Sequence, residues 1–380
     1  MAEKKNLFLV IGIFLLFLLI FFLKVKQEMR DFEVNYRAGY RISLGETLYR
    51  TEDGHYQFKY SPFSAMLYLP LSYLPLSMAK VIWYYLIIFS VAAVVVLSRR
   101  LVGLKQRSFL LILLALLILA KFFLRELQLG QINAFITMIL LAMVWSLRTE
   151  EDTGQKMSWS GLLWAFSTAL KPYALIFFFY FLIKKKWKSL ISGALFLAFS
   201  LFIPSLFYGW KGNIKVLQEW MSTLSQSTPR LLDSQDNISI AALFMKWSGS
   251  QYVSLFLWLA VTAGLAVFVY FLVKKGKDME KAPVLDSALL LIFIPLLSPL
   301  GWDYTLLMSF LGVLLILHHF FDYPRLWRGL LVFNLFLIAF SLYDLLGKEL
   351  YARFMSWSVI TINFLILMGY LAYLRCKRIC

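Results

Sequence analysis

Two apolar runs flank a Lys-Pro pair in the stretch W-S-G-L-L-W-A-F-S-T-A-L-K-P-Y-A-L-I-F-F-F-Y-F-L-I, residues 159–183. Each run has about 12 residues, whereas a helix needs about 20 to cross the apolar core of a bilayer. The stretch therefore forms either one helix kinked at Lys171-Pro172 or a hairpin of two short helices. The choice between them sets the side of the membrane on which every later segment lies.

The composition indicates a polytopic membrane protein. Hydrophobic residues make up 61% of the 380 residues and the mean hydropathy is +0.73, whereas soluble domains are about half apolar. Residues 7–23 form an uncharged run with no small-residue cleavage site after it, so we interpret them as a retained signal anchor. The runs that we predict to span the membrane are 7–23, 80–98, 108–124, 132–147, 189–208, 251–273, 284–299, 303–319, 329–345 and 356–374.

Basic loops orient these spans, because Lys and Arg accumulate on the cytoplasmic side. A hairpin at 159–183 places all the strongly basic segments on one side. These segments are 98–108, 184–188, 274–281 and the tail 375–378. A single helix would separate the first of them from the others, so we predict the hairpin. This gives about twelve membrane segments, counting the hairpin, with both termini in the cytoplasm. The prediction is one all-α integral membrane domain over residues 1–380.

The net charge of +17 follows from these orientation signals and from contacts with anionic lipids. We therefore expect membrane lipids as partners and no nucleic acid. Cys376 and Cys380 offer no disulfide framework, although a cysteine beside the membrane is open to lipidation. They form no metal-ligand set with His55, His318 or His319, so we predict neither a metal nor a cofactor.

Five polar segments fall on the opposite, extracytoplasmic side in this topology. They are the loop 24–79, the tip 125–133, the Lys171-Pro172 apex, the loop 209–250 and the turn 298–304. Polar segments that share one surface indicate one site.

Asp31 follows the first span by a few residues, between Arg30 and Phe32. A carboxylate beside apolar side chains at a membrane surface loses hydration and becomes a better proton acceptor. Asp31 is therefore a candidate general base, and a solvated loop acid beside Arg30 is the open alternative.

Lys171 is a candidate because a charge inside an apolar stretch is costly and, in membrane proteins, usually functional. We expect it to bind an anion such as a lipid phosphate, or else to extend its ammonium from a helix end to the interface. The other candidate contacts are individually weak, since aromatic belts and ordinary helix ends also explain them. They are Tyr36, Tyr49, Tyr60, Arg125, Glu126, Gln131, Asn133, Arg230, Asn237, Trp302, Asp303 and Tyr304.

Six motifs follow one another along the chain. They are D-F-x-V-x-Y-x-A-G-x-x-x-x-x-G-x-x-L-Y from residue 31, F-K-Y-S-P-F-S-A-M-L-Y-L-P-L from 58, L-G-Q-I-N from 129, L-K-P from 170, N-x-S from 237 and L-L-S-P-L-G-W-D-Y from 296. In this order they resemble glycosyltransferase family 87, bacterial mannosyltransferases that use polyprenol-phosphate-mannose and have the GT-C membrane fold. The resemblance covers residues 31–304.

The resemblance implies transfer of a sugar, mannose in that family, from a polyprenyl-phosphate donor to a glycan or glycolipid acceptor. The reaction would invert the anomeric carbon and take place on the extracytoplasmic side of a bacterial cytoplasmic (inner) membrane. Asp31 would be the general base, and Lys171 with Arg125 or Arg230 would bind the donor phosphate without a metal. Family members often have histidine after the W-D pair, where this chain has Tyr304, so the donor sugar stays open.

The competing class is a transporter or flippase of lipids or lipid-linked sugars. Such a protein is expected to have ionisable residues near the membrane midplane and a symmetric pair of broken helices. The sequence instead has one clear break, at Lys171-Pro172, and its ionisable groups gather at one face.

Overall fold

The computed structural model describes residues 15–105, 108–149, 157–275 and 282–377. The predicted span 7–23, the loops 98–108 and 274–281 and the tail 375–378 lie only partly within these ranges, and Cys380 lies outside them. The regular elements in the described ranges are all helices, so the all-α prediction is confirmed. In these ranges, extended backbone pairs as an isolated antiparallel β-bridge between Asn237 and Trp302.

The chain is a succession of helices, many of them shorter than a bilayer crossing. They are α1 (Leu15–Val25), α2 (Arg30–Ser43), α3 (Pro62–Ser72), α4 (Leu76–Val102), α5 (Phe109–Ile118), α6 (Ala120–Leu129), α7 (Asn133–Thr149), α8 (Trp159–Leu170), α9 (Ile176–Ile183), α10 (Trp187–Phe202), α11 (Ser205–Arg230), α12 (Ile240–Ser248), α13 (Gln251–Lys275), α14 (Ala282–Leu297), α15 (Phe310–His318), α16 (Arg325–Ala339), α17 (Tyr343–Ser356) and α18 (Val359–Lys377). Short 3-10 helices cover Thr51–Tyr56, Pro172–Leu175, Asp303–Ser309 and Phe320–Asp322.

Three helices of the described chain, α4, α13 and α18, are long and apolar enough to cross a membrane. Three further pairs reach that length together but bend sharply: α6 and α7 by 120°, α10 and α11 by 90°, and α16 and α17 by 101°. The described residues thus provide three spans, or six if each bent pair is one span. The predicted count of about twelve segments is not confirmed.

Several predicted spans are interrupted. The run 108–124 divides at Leu119 into α5 and α6, the run 303–319 begins as a 3-10 helix, and the run 329–345 changes direction after Ala339. The run 108–124 is apolar immediately on both sides of Leu119, so hydropathy alone does not reveal the break there.

The predicted hairpin at 159–183 is present. The ring of Trp164 in α8 lies 5.4 Å from the ring of Phe181 in α9, although 17 residues of continuous helix would separate them by about 25 Å. The indole Nε1 also donates to the carbonyl of Ala174 at 2.8 Å. Helix α10 then runs beside α8 at very close range, because a Cβ on Gly161 would lie 2.2 Å from the carbonyl oxygen of Ser189.

Charged contacts identify two opposite faces of the helical assembly. At one end, which we call the basic face, Asp286 pairs with Lys184 at 3.5 Å and with Arg375 at 2.7 Å. These contacts bring the ends of α9 and α18 to the start of α14. The other end, the site face, holds the start of α2, the break between α6 and α7, Lys171 and the turn 298–304. The two groups of segments therefore separate as the positive-inside argument requires.

Candidate functional site

A cavity of about 310 Å³, which we call the Asp31 cavity, lies on the site face. Its wall combines basic, acidic and aromatic side chains, so it suits a charged and hydroxylated ligand better than an apolar one. It is lined by Arg30, Asp31, Val34, His55, Tyr56, Gln57, Lys59, Tyr60, Arg125, Leu129, Gln131, Leu231, Ser234, Asp236, Trp302 and Tyr304. Six of the predicted site residues are among them: Asp31, Tyr60, Arg125, Gln131, Trp302 and Tyr304.

Helix breaks bring these residues together. Asp31 begins α2, Gln131 lies between α6 and α7, Lys171 ends α8, and Tyr304 lies in the 3-10 helix after α14. Helix ends leave backbone groups unsatisfied and collect polar side chains around them. A site built from four helix ends therefore contains many polar side chains. These side chains can also pair with backbone groups that would otherwise be left without a partner in the membrane.

Gly130 allows α2 to approach the α6 break. It ends α6 with a φ of +70°, which glycine adopts without strain. A Cβ there would lie 2.7 Å from the Cβ of Phe32, so a larger residue would push α2 away. The Gly130 carbonyl in turn accepts a hydrogen bond from Trp83 Nε1 at 2.8 Å.

The Asp31 carboxylate is partly buried in the cavity wall. The amide Nε2 of Gln131 donates to its Oδ2 at 2.5 Å. Arg30 does not take part, since its guanidinium donates to the hydroxyl of Tyr56 at 2.6 Å. The Asp31 carboxylate therefore contacts Gln131, while its neighbour Arg30 is bound elsewhere.

Lys171 lies behind Gln131 and not in the cavity wall. Its side chain is only 1% exposed, and its Nζ donates to Gln131 Oε1 at 2.9 Å and to Asn133 Oδ1 at 3.0 Å. The ammonium also lies 4.7 Å from the ring centroid of Tyr60 and 5.5 Å from that of Tyr173. Two amide oxygens and two aromatic faces thus stabilise the buried charge.

Glu126 and Asn133 continue this polar chain into the interior. Asn133 Nδ2 donates to Glu126 Oε2 at 2.9 Å, and the backbone N–H of Ala134 donates to Oε1 at 2.8 Å. The carboxylate is fully buried and accepts an otherwise unsatisfied N–H of the first turn of α7, where a negative charge is also favourable. These two predicted sugar contacts lie beneath the cavity.

A second ionic cluster forms one side of the cavity. Arg125 donates to Asp303 at 2.9 Å and to Asp236 at 3.1 Å, and Lys121 Nζ lies 3.4 Å from Asp303. Asp303 is fully buried, and its Oδ1 has no hydrogen-bond partner among the described residues. Arg125 and Asp236 reach the cavity wall, and the two carboxylates orient the Arg125 guanidinium.

Asn237 braces the loops around the cavity. Its Nδ2 donates to the carbonyl of Pro299 at 2.9 Å, and its Oδ1 accepts from the N–H groups of Ser239 and Gly301, each at 3.1 Å. One amide thus joins the loop before α12 to the turn that carries Trp302. Asn237 was predicted to contact the substrate, but its side-chain amide is hydrogen-bonded to backbone groups.

Three further predicted residues lie outside the cavity wall. Tyr36 donates to the carbonyl of Leu74 at 2.8 Å, and Tyr49 donates to the carbonyl of Tyr60 at 2.7 Å, so both hydroxyls hold loop structure. Arg230 is exposed at the end of α11.

Two lysines were missed by sequence reasoning. Lys59 lines the cavity and makes no side-chain hydrogen bond or ion pair with the described residues; burial lowers its pKa, and the charge of Asp31 opposes that effect. Lys121 pairs with Asp303 from inside the predicted span 108–124. The cost of a charge in an apolar run, the argument applied to Lys171, applies equally to Lys121.

Within the described ranges, no three His, Cys, Asp or Glu side chains lie close enough together to hold a metal ion. Among the charged side chains that line the cavity, Arg125 and Asp236 form an ion pair.

Comparison with known families places this chain beside one of glycosyltransferases. The model of glycosyltransferase family 87 matches residues 58–299, which includes Gln131, Lys171 and the hairpin. Asp31 lies well before the matched range, and the residues Trp302–Tyr304 lie just after it. No curated protein and no solved structure is matched by the sequence.

Proposed function

The chain belongs to glycosyltransferase family 87 and is a glycosyltransferase, and from this premise we propose that it uses a polyprenyl-phosphate sugar. It transfers the sugar to a hydroxyl of a glycan or glycolipid, with Asp31 as the general base and inversion at the anomeric carbon. The observation that carries this proposal is the placement of the Asp31 carboxylate in a cavity with basic and aromatic walls. Mannose is the donor sugar that we propose, by analogy with the family.

The geometry of Asp31 suits proton transfer. Gln131 engages one carboxylate oxygen, and no described residue donates a hydrogen bond to the other, which is left for the acceptor hydroxyl. As the acceptor oxygen bonds to the anomeric carbon, Asp31 takes its proton and the bond from that carbon to the phosphate oxygen breaks. The polyprenyl phosphate leaves with the bonding electron pair.

Cations in the cavity support a phosphate leaving group. Lys59 forms no ion pair with the described residues, and Arg125 is held at the cavity by Asp303 and Asp236. Both can form charge-assisted hydrogen bonds to the phosphate, which stabilise its developing charge. Of the cations first assigned to the donor, Arg230 lies outside the cavity and Lys171 contributes its charge from below.

The membrane setting supports a lipid-linked donor. Nucleotide sugars are not present outside the cytoplasm, so a transferase with its site on that side takes its sugar from a carrier in the bilayer. The positive-inside argument assigns the basic face to the cytoplasm and the Asp31 cavity to the extracytoplasmic side.

Transfer activity tests the proposal directly. Membranes that contain the protein are expected to move labelled mannose from polyprenyl-phosphate-mannose into a lipid or glycan fraction, and excess EDTA is expected to leave the rate unchanged. Matched membranes without the protein are the control. Product that forms only from a nucleotide sugar would refute the lipid donor. Loss of activity in EDTA that Mg²⁺ or Mn²⁺ restores would refute phosphate neutralisation by Lys59 and Arg125.

Cysteine labelling tests the orientation. In a variant with Cys376 and Cys380 replaced by serine, Ser225→Cys on α11 is expected to react with a membrane-impermeant maleimide in intact cells. Lys188→Cys on the basic face is expected to react only after the membrane is permeabilised. The reverse pattern would place the Asp31 cavity in the cytoplasm.

A further inference from the structure

We propose that Lys171 is a positioning residue for Asp31 and acts through the amide of Gln131, which its ammonium holds in one orientation. This inference rests on the proposed role of Asp31 as the base. It differs from a direct contact between Lys171 and the donor phosphate.

The two faces of the Gln131 amide have different partners. Its Oε1 accepts from Lys171 Nζ at 2.9 Å, while its Nε2 donates to Asp31 Oδ2 at 2.5 Å and lies 3.2 Å from the hydroxyl of Tyr304. A rotation of the amide by 180° would set N–H groups against an ammonium and an oxygen against a carboxylate. Both contacts would then be repulsive, so the charge of Lys171 selects the orientation that serves Asp31.

Asn133 repeats the arrangement on the other side of Lys171. Its Oδ1 accepts from Lys171 and its Nδ2 donates to Glu126. Two amides thus separate three ionisable side chains, in the order Asp31, Lys171 and Glu126. Lys171 is almost fully buried and Glu126 fully so, and each side chain can satisfy its partners in one way only. The chain of contacts is therefore a rigid support behind the cavity wall.

The support has a chemical consequence at Asp31. A donated hydrogen bond stabilises the carboxylate in its ionised form and fixes its second oxygen toward the cavity. Without Lys171 the Gln131 amide loses one of the two charged partners that fix its orientation, and only the contact with Asp31 itself still favours the observed one. The base would then be held less firmly in position, whereas the cations of the cavity wall would still bind the donor phosphate.

The variant Lys171→Met distinguishes a role of Lys171 in positioning Asp31 from a role in binding the donor phosphate. If Lys171 positions the base, kcat should fall about ten- to hundredfold, the range expected from one hydrogen bond to a charged group. The KM for polyprenyl-phosphate-mannose and the Kd for polyprenyl phosphate should change less than about threefold. A rise of about tenfold or more in that Kd with kcat retained would show that Lys171 binds the phosphate, and would overturn the proposal.

Gln131→Glu keeps the test decisive if Lys171→Met does not fold. The glutamate retains the length of the side chain and pairs with Lys171, but it turns an oxygen instead of an N–H group toward Asp31. The expected loss in kcat is again about ten- to hundredfold. Gln128→Glu makes the same chemical change on an exposed side chain one turn away, and its activity should stay near wild type. Equal activity of the two glutamate variants would overturn the proposal.

A double-mutant cycle separates this inference from the proposed function. In an Asp31→Asn background, Lys171→Met should reduce the residual kcat by less than about threefold, because the group through which it acts is already lost. A full additional loss would show that Lys171 acts independently of Asp31. Near-normal activity of Asp31→Asn alone would refute the base assignment itself, whatever the cycle shows.

Discussion

Asp31→Asn is expected to lose about 10²–10⁴-fold in the rate of sugar transfer, the usual contribution of a general base. Asparagine keeps the size of the side chain and still accepts the hydrogen bond from Gln131, but it does not take a proton at neutral pH. The protein should fold and bind polyprenyl phosphate as before. The measurement is transfer of labelled sugar in membranes that hold equal amounts of the wild-type and variant proteins.

Asp233→Asn is the matched control, because Asp233 is an exposed aspartate on the loop between α11 and α12. Its substitution should leave the rate within about twofold of wild type, as for most surface changes. Retention of more than about a tenth of the activity by Asp31→Asn would contradict the assignment of the base.

The other carboxylates of the site face are already engaged. Glu33 pairs with Lys80 at 2.6 Å, Glu126 caps α7, and Asp303 is enclosed by two cations. None of the three lines the Asp31 cavity. Asp31 and Asp236 are the carboxylates in its wall, and Asp236 is bound to Arg125.

Asp303→Asn is expected to lower the free energy of unfolding by about 3–5 kcal/mol, the usual cost of removing one partner from a buried ion pair. The change leaves Lys121, which is 7% exposed, without its carboxylate. It also removes one of the two carboxylates that orient Arg125. The measurement is the thermal unfolding midpoint of the purified protein in detergent, with bound polyprenyl phosphate absent.

Two further variants test whether the lower free energy of unfolding of Asp303→Asn has an electrostatic origin. Asp322→Asn removes an aspartate whose side chain is 47% exposed, and it should cost less than about 1 kcal/mol. Combining Asp303→Asn with Lys121→Met should recover part of the lost stability, because the unpaired ammonium is then removed as well. A double variant less stable than Asp303→Asn alone would contradict an electrostatic origin.

Part of the site could be predicted from the sequence. Polar residues at breaks in apolar runs were expected to share one surface, and Gln131 does contact both Asp31 and Tyr304, which lie far apart in the chain. The hairpin around Lys171-Pro172 was also predictable, because the basic loops after it required the chain to return. These features follow from hydropathy and charge, which act over long stretches of sequence.

The pairings inside the site could not be predicted in the same way. Nothing local distinguishes a lysine that binds a phosphate from one held by Gln131 and Asn133, since both lie at a helix end in an apolar stretch. The pairing of Arg125 with Asp303 joins residues that are neighbours only in the fold. The helix break at Leu119 could not be predicted either, because it depends on packing and not on the local composition.

The short hairpin has a consequence for the surrounding bilayer. The segment Pro172–Ile183 is about 18–20 Å long, against about 30 Å for the hydrocarbon core. Phe178 and Phe179 are 38% and 60% exposed on its surface, so lipids contact a segment too short to match them. A segment shorter than the hydrocarbon core is accommodated by local thinning of the bilayer, by snorkelling of flanking side chains or by oligomerisation. Thinning at this place would bring the headgroup plane inward beside the hairpin that carries Lys171 and would shorten the path of a lipid-borne phosphate from the membrane surface to the enzyme.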